Sequence, residues 1–416
     1  MAEMIKSIHV DASRLEYYVA ALAAFGWQPE GGIIRPVYSP AWVQAREQLA
    51  EWMHTAGLDV RGDAMGNLFG RLRGARDDSR TILTGSHLDT VKLGGKFDGA
   101  LGILSALVAL QALREQAGQP QRSLEVVALC EEEGSRFPAR YWGTRGMLGL
   151  IRAEELNTLR DDAGITIAQA MRAAGLSPER YQDAIRTDID AFIELHIEQG
   201  RILYDEKIDI GIVQAITGIQ HQAVTVEGQA DHAGTTPMHL RRDAFQGAAL
   251  MAIESTRLIE QEGWPAVVTM GMWDVKPGAV NIVPGKVRFS VDLRHPQEAT
   301  KQRLAAAIRA RGEAIAQERG LTISITITAD SPPANMDQAL QDLLRRSAQA
   351  CGATWKWMTS GAGHDSQVMA RYLPAAMLFV PSVEGRSHSA AEYTTIEDAT
   401  RGASVLATAL YQLAYH

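Results

Sequence analysis

Four short stretches of this 416-residue chain carry side chains suited to holding a cation and moving a proton. The first is Thr84-Gly85-Ser86-His87-Leu88-Asp89-Thr90, followed by Gly94-Gly95-Lys96-Phe97-Asp98-Gly99. A histidine and an aspartate joined by a glycine-rich loop are good ligands for a first-row metal, although a surface loop can carry the same pair. The second is Glu131-Glu132-Glu133, which follows the apolar Leu124-Glu125-Val126-Val127-Ala128-Leu129-Cys130. An acidic run is often a solvated turn. One that emerges from the core is costly to bury unless a cation neutralises it, and then one carboxylate can bind metal while its neighbour handles a proton. The third is Phe192-Ile193-Glu194-Leu195-His196-Ile197-Glu198-Gln199-Gly200, and the fourth Gly385-Arg386-Ser387-His388-Ser389. A lone histidine in such a place is more often structural. Three histidines, an aspartate and a glutamate, each at a strand end or in a glycine-containing turn, together point to a binuclear metal centre.

Strand ends must do the positioning. Residues 80–83 read as a short strand that leaves His87 just past its carboxyl end, where ligands bind in open α/β sheets. An apolar helix is expected over 102–113, a buried strand over 124–130 and a strand over 377–380 ahead of His388. This strand–helix–strand rhythm predicts a parallel, doubly wound sheet. Two helices precede it, over 13–25 and 41–56; the second puts Trp42, Leu49, Trp52 and Met53 on one face and ends at Gly57. From about Ile212 the rhythm changes. Val224 and Val226 alternate in a strand, a helix runs over 241–260 and a strand over 266–273. Residues 285–294 then alternate Val287, Phe289, Val291 and Leu293 against Lys286, Arg288, Ser290 and Asp292. A helix over 302–319 and a strand over 321–328, with Leu321, Ile323, Ile325 and Ile327 on one face, complete a β-α-β-β-α-β order of ferredoxin-like type. The expected fold is α/β: a doubly wound domain with a metal centre, formed by 1–211 and 331–416, plus an inserted ferredoxin-like α+β domain over 212–330. Pro332-Pro333 marks the return.

A hydrophobic content of 46% is ample for two or three domains. The net charge of −8, without a basic cluster, argues against nucleic acid as a partner. Cys130 and Cys351 lack CxxC spacing, so no disulfide framework is expected and a reducing compartment is. Residues 1–10 lack the apolar core of a signal peptide, and no apolar run reaches membrane-spanning length. A soluble cytoplasmic protein is the expectation, with no membrane partner.

The motifs GSHLDT, FDG, EEEGSRFP, ELHIEQG, DHAGTTPM, NIVPG, DLRH, SGAGHDSQ and FVPSVEGRSHSAAEYT resemble the M20-type amidohydrolases of the hydantoinase/carbamoylase group. That group includes allantoate amidohydrolase, N-carbamoyl-L-amino-acid hydrolase and β-ureidopropionase. The resemblance runs from about Gly31 to the carboxyl terminus and implies a two-metal hydrolase whose inserted domain makes a homodimer. Carried over, His87 and His196 hold one divalent ion, Glu133 and His388 the other, and Asp98 bridges. Zinc or manganese is implied, with cobalt or nickel also compatible. Glu132 is the base, Glu131 an extra acid, exposed or behind the ligands, and Asp89 orients the His87 imidazole. Gln199, Asn281, Arg294 and Gly363 become substrate holders, although Asn281 alone reads as a turn residue and Arg294 as a surface arginine. His232, in the inserted domain, would reach the partner subunit's active site and polarise the scissile carbonyl. His364 and Asp365 read as supports for their loop. Arg386 and Glu384 depart from the family pattern, and Arg386 adds a cation close to His388.

The implied reaction is hydrolysis of a carbamoyl (ureido) C–N bond in a small carboxylate substrate. Glu132 takes the proton of a metal-activated water, His232 and a metal stabilise the oxyanion, and Arg294 and Asn281 grip the carboxylate. Three stretches look like allantoate amidohydrolases: Ala24-Phe25-Gly26 leading to Gly31-Gly32 and Tyr38-Ser39-Pro40; the acidic run through Pro138 with Tyr141-Trp142-Gly143; and Leu410-Tyr411-Gln412-Leu413-Ala414. Gly228-Gln229-Ala230-Asp231 is instead common in carbamoylases, so N-carbamoyl-L-amino-acid hydrolase or β-ureidopropionase is the alternative. A non-catalytic binding protein is opposed by the complete ligand set. An aminoacylase or peptidase is opposed by His196, where such relatives usually carry a carboxylate.

Overall fold

Apolar β-branched runs set the sheet that carries the site. In the computed structural model, which describes residues 5–76 and 80–416, the chain divides into two units: 1–214, 335–358 and 364–416 form the first, and 215–334 with 359–363 the second. Residues 1–4 of the amino-terminal stretch read above lie outside the described residues. The first unit opens with the strands β1 (Asp59–Gly62), β2 (Leu68–Leu72), β3 (Thr81–His87), β4 (Ser123–Leu129), β5 (Ile189–Ile197) and β6 (Ile210–Ile216). The second holds β7 (Gly218–Glu227), β8 (Val267–Thr269), β9 (Trp273–Lys276), β10 (Lys286–His295) and β11 (Thr322–Ser331). The short β12 (Ala334–Asn335), β13 (Trp355–Ser360) and β14 (Ala375–Val380) complete the first sheet.

That sheet runs β1-β2-β4-β3-β5-β14-β6-β12, with β13 also on β6. Only β4, β3, β5 and β14 are mutually parallel; β1, β2 and β6 pair antiparallel. The wholly parallel sheet expected from the sequence is therefore a mixed one. The link from Gly62 to Leu68 is too short for a crossover, so β1 and β2 can only form a hairpin. Both faces are covered. Ile82, Val126, Ala128, Ile193 and Leu195 belong to one core cluster, and Leu83, Val127, Leu129 and Phe192 to another, as strand alternation requires. From β3 the chain crosses to β4 on one side and later returns to β5 on the other. The carboxyl end of β3 is thus the reversal point of the strand order, where a crevice opens.

The helix Ala100–Ala117 leaves the site and packs on this sheet, with every residue from Ala100 to Leu113 buried. A helix apolar all round belongs inside a core. It sits very close to the strands: a Cβ on Gly102 would lie 2.4 Å from Leu195 O and 2.6 Å from Ser86 Cβ.

The second unit has its own core, including Val224, Val226, Met251, Phe289, Leu293, Leu304 and Ile308. Its sheet order is β11-β7-β10-β8, with β9 also on β10 and every pairing antiparallel. With helices Ala244–Glu262 and Glu298–Glu318 between the strands, this is the split βαβ arrangement expected. Two details differ from the reading. The strand read over 266–273 is two pieces, β8 and β9, both on β10. Ile327 is 48% exposed on the edge strand β11, whereas Ile323 and Ile325 on the same face are half-buried, and the register of β11 slips just beyond it, between Ile327 and Ala329. Among the described residues, no helix is long and apolar enough to cross a membrane, and Cys130 and Cys351 are both free.

Gly102→Ala should destabilise the chain by about 1–3 kcal/mol, the usual cost of overpacking a close contact. Urea unfolding measures this, and an unchanged midpoint would show that the helix can move off the sheet at little cost.

Candidate metal centre and active site

The donors converge at the carboxyl ends of the four parallel strands. His87 is the last residue of β3, inside the strand rather than just past the end of the 80–83 strand read from the sequence, and His196 the next to last of β5. Their rings lie 5.9 Å apart between centroids. The His87 Nδ1–H donates to the backbone carbonyl of Asp89 at 3.0 Å, and the His196 Nδ1–H to that of Ile197 at 2.9 Å. A carbonyl can only accept, so both protons sit on Nδ1 and both Nε2 lone pairs turn inward. They face Asp98: Oδ1 is 3.6 Å from His87 Nε2 and 3.1 Å from His196 Nε2. Gly99, in the left-handed region at φ 65°, makes this approach possible, since a Cβ there would sit 2.5 Å from the His87 ring.

Asp98 Oδ2 lies 3.2 Å from His388 Nε2, which is in turn 3.4 Å from Glu133 Oε1. Gln199 Nε2 donates to Asp98 Oδ2 at 3.1 Å and lies 3.3 Å from Ser387 Oγ. His87, Asp98 and His196 form one compact donor group, Asp98, Glu133 and His388 a second, and His87, Glu132 and Glu133 a third. His87, Asp98, His196, Glu132 and Glu133 are buried, while His388 is exposed.

This donor set fits cations better than it fits itself. Asp98 Oδ1 is buried and accepts no hydrogen bond from a neutral donor among the described residues; it faces Nε2 of both imidazoles, and that of His196 also accepts from Gly99 N at 3.3 Å. Acceptors facing acceptors out of water repel unless positive charge lies among them. In the chain alone, protons supply that charge. Burial opposes charging His87, but Asp98 and the charges of Asp89 and Glu132 outweigh it and hold its pKa well above the usual value. Burial likewise opposes the Asp98 charge, yet ion pairing with His196, His388 and His87 in their protonated forms holds its pKa well below the usual range. Burial pushes the Glu132 carboxyl well up; His87 opposes this, and Glu133, Asp365 and Asp89 reinforce it.

The structure refines the reading of the acidic run in two ways. Glu131 is fully buried, which removes the exposed alternative; its Oε1 accepts from the backbone N–H of Arg136 and Phe137. Burial, then the charge of Asp89, lifts its pKa to about 8. The Asp89 carboxylate, expected to orient His87, instead accepts from Glu132 N at 3.1 Å and Glu133 N at 3.2 Å, while its Oδ1 stays 3.8 Å from His87 Nδ1. Asp89 orients His87 through its carbonyl and holds the acidic loop through its side chain. His364 packs edge-on against His196 at 4.6 Å, and Asp365 accepts from Thr144 Oγ1, so both brace the site. Arg386 pairs with Glu384 at 2.8 Å: the two departures from the family pattern compensate each other. Glu392, which the reading left unassigned, is buried against the Asp98 loop. Its signal was only a carboxylate four residues beyond His388.

The remaining predicted residues lie in the second unit. His232 and Asn281 are exposed on adjacent loops joined by a bridge between His232 and Ile282 and by Ala233 N–H donating to Asn281 O. His232 Nδ1 accepts from the N–H of Gly234 at 3.0 Å and of Thr235 at 3.2 Å. Its neutral ring therefore carries its proton on Nε2 and presents a donor outward. The Arg294 fork holds both carboxylate oxygens of Asp292, at 3.0 and 2.8 Å, and donates to Gly361 O at 2.7 Å. Gly363 closes the same 359–363 segment.

A mixed α/β unit that gathers imidazole and carboxylate donors at its parallel strand ends is the frame of a metal-dependent hydrolase. The family model of peptidase family M20/M25/M40 matches residues 83–412, and the chain belongs to that family. It is similar to the allantoate amidohydrolase of Escherichia coli (strain K12), 40% identical over 394 residues that cover 95% of this chain and 96% of that protein. It is equally similar to the N-carbamoyl-L-amino-acid amidohydrolase of Paenarthrobacter aurescens, 40% identical over 95% of this chain and 96% of that protein. A solved hydantoinase/carbamoylase family amidase from Burkholderia ambifaria matches with a TM-score of 0.93 at 35% identity, over 98% of each chain.

Two buried carboxyls give a pH test. Burial lifts Glu131 from 4.5 to about 8 and Asp365 from 3.8 to about 8. The folded chain keeps these protons where the unfolded chain has lost them, so their contribution is complete below about pH 4 and disappears as pH rises through 8. The urea midpoint of the metal-stripped protein should fall between pH 5 and 8.5, windows set by those two values. A midpoint that holds or rises there would mean that these carboxyls are ionised in the fold.

Proposed function

We propose that this chain hydrolyses the carbamoyl C–N bond of allantoate, with two divalent cations per subunit, in a homodimer. The observation that carries this reading is the convergence of His87, His196, His388 and Glu133 on Asp98, with Glu132 buried beside them. His87 and His196 would hold one cation and Glu133 and His388 the other, with Asp98 between. Zinc or manganese suits this thiolate-free set, and cobalt or nickel is also compatible. Such cations supply Lewis acidity: a lower pKa for water and a polarised carbamoyl oxygen.

The residues do the rest. Glu132 takes the proton of the attacking water as the oxygen–carbon bond forms. Its raised proton affinity in the buried site suits it to pass that proton to the departing nitrogen as the C–N bond breaks. The amine leaves, and the carbamate left behind decomposes to ammonia and carbon dioxide. The partner subunit's His232 donates its Nε2–H to the developing oxyanion; its Nδ1, occupied by two backbone N–H groups, keeps it a donor. Gln199 steadies Asp98. Asn281, Arg294 and Gly363 receive the substrate carboxylate, for which Arg294 must share or exchange its hold on Asp292. Support for a dimer through the second unit comes from its exposed apolar side chains, Met238, Leu240, Ile253, Met272 and Val280. The reaction is placed in the cytoplasm, in keeping with two free cysteines.

Equal similarity to an allantoate and an N-carbamoyl-amino-acid hydrolase leaves substrate choice to local sequence, where three stretches favour allantoate. Ammonia release from the manganese-loaded protein should be faster with allantoate than with N-carbamoyl amino acids. The reverse order would assign the chain to carbamoylase chemistry.

Glu132→Gln keeps size and removes the base. It should lower kcat at least about 10²-fold while elemental analysis still approaches two metals per chain. A firm plateau at one metal with full activity would overturn the paired-cation reading, and a crippled Glu131→Gln with an active Glu132→Gln would move the base by one residue.

His232→Ala should cost roughly 10²-fold or more in kcat, as for loss of one oxyanion donor. Mixing inactive Glu132→Gln subunits with inactive His232→Ala subunits should restore activity, because one site of the mixed dimer then has both groups. No recovery after verified subunit exchange would show that His232 serves its own subunit.

A further inference from the structure

Glu392 lies 294 residues from Asp98 in sequence and against it in the fold. Its Oε1 accepts from the backbone N–H of Phe97 at 2.9 Å and of Asp98 at 3.0 Å. Its Oε2 accepts from Ser387 Oγ at 3.0 Å. Ser387 directly precedes His388, and its hydroxyl lies 3.5 Å from Asp98 Oδ2. One carboxylate therefore links the loop that presents Asp98 to the turn that presents His388. The chain makes room for it: a Cβ on Gly95 would fall 2.1 Å from Glu392 Oε1. The turn also needs holding. His388 is in the left-handed region at φ 52°, a conformation that a non-glycine residue keeps only where its surroundings enforce it. The Glu392 N–H, donating to Ser389 O at 3.1 Å, closes the turn from the other side.

The two halves of the centre do not depend on this link equally. His87 and His196 stand on paired strands, with their Nδ1 protons bonded to backbone carbonyls. His388 is exposed, stands eight residues beyond the end of β14, and lies in a turn that Glu392 braces. We propose that Glu392 is a positioning residue that ties the Asp98 loop to the His388 turn and so sets the affinity of the Glu133–His388 half for its cation. The inference rests on the two-cation reading.

The test is metal titration with manganese or zinc ions alone against a competing indicator, on the full chain after chelator treatment. Glu392→Ala should weaken the second equivalent about 10–100-fold, the range for losing a group that orients a ligand, and leave the first near wild type. Glu392→Gln should recover most of the loss, because its amide oxygen can accept from both N–H groups and its NH₂ can donate to Ser387 Oγ. Ser387→Ala, which cuts the link without touching the Asp98 backbone, should show the same selective loss and decides the question if Glu392→Ala does not fold. Wild-type affinity for both equivalents in Glu392→Ala overturns the inference. So does an equal weakening of both accompanied by a lower thermal midpoint of the metal-free protein, which marks a merely structural role. A wild-type protein that takes up a single equivalent overturns the two-cation reading, and this inference with it.

Discussion

The structure turns on a buried carboxylate that faces imidazole lone pairs. Asp98 Oδ1 has two Nε2 atoms within 3.6 Å and, among the described residues, no hydrogen bond while those rings are neutral. That grouping is unfavourable by itself and favourable around positive charge. Holding it together takes rigid neighbours on every side. Pairing with β4 at Leu129 fixes His87 and pairing with β14 at Phe379 fixes His196, the left-handed Gly99 turns the chain from Asp98 into a buried helix, and Gly102 lets that helix sit against the strands. The arrangement of His87, Asp98 and His196 is therefore built into the core, whereas His388 comes from an exposed turn.

The parts of this arrangement that were legible in the sequence were those carried by pattern. Strand-end histidines, an acidic run leaving an apolar strand and a glycine-rich turn can each be seen in a few consecutive residues, and the alternation along β10 marks its buried face. What was not legible depends on partners remote in sequence or on backbone groups. Nothing local separates Asp89 as an orienter of His87 from Asp89 as an acceptor for the Glu132 and Glu133 amides. Glu131 reads as a solvated acid until residues 136 and 137 fold back over it. The antiparallel pairing of β1 with β2 follows from a short hairpin link, which a strand–helix–strand rhythm does not reveal. Arg386 reads as a stray cation beside His388 only while its ion pair with Glu384 is unseen.

The second unit prepares its histidine by a different device. His87 and His196 give their Nδ1 protons to carbonyls and present lone pairs, as metal ligands must. His232 receives two N–H groups on Nδ1 and presents a proton. The same side chain becomes an acceptor or a donor according to which backbone group lies behind it, and the Asp-His-Ala-Gly-Thr turn supplies two amides where the strand ends supply carbonyls.

The order in which these residues occur along the chain also affects how the protein is made. His87 and Asp98 are translated early, whereas His388 and Glu392 come roughly 300 residues later, on the order of 15–60 s at about 5–20 residues per second. Until residues 387–392 leave the ribosome, His87, Asp98 and His196 have no counterpart from the turn that carries His388. Nascent chains that end short of that turn can offer a passing cation only the donors that precede it in the sequence.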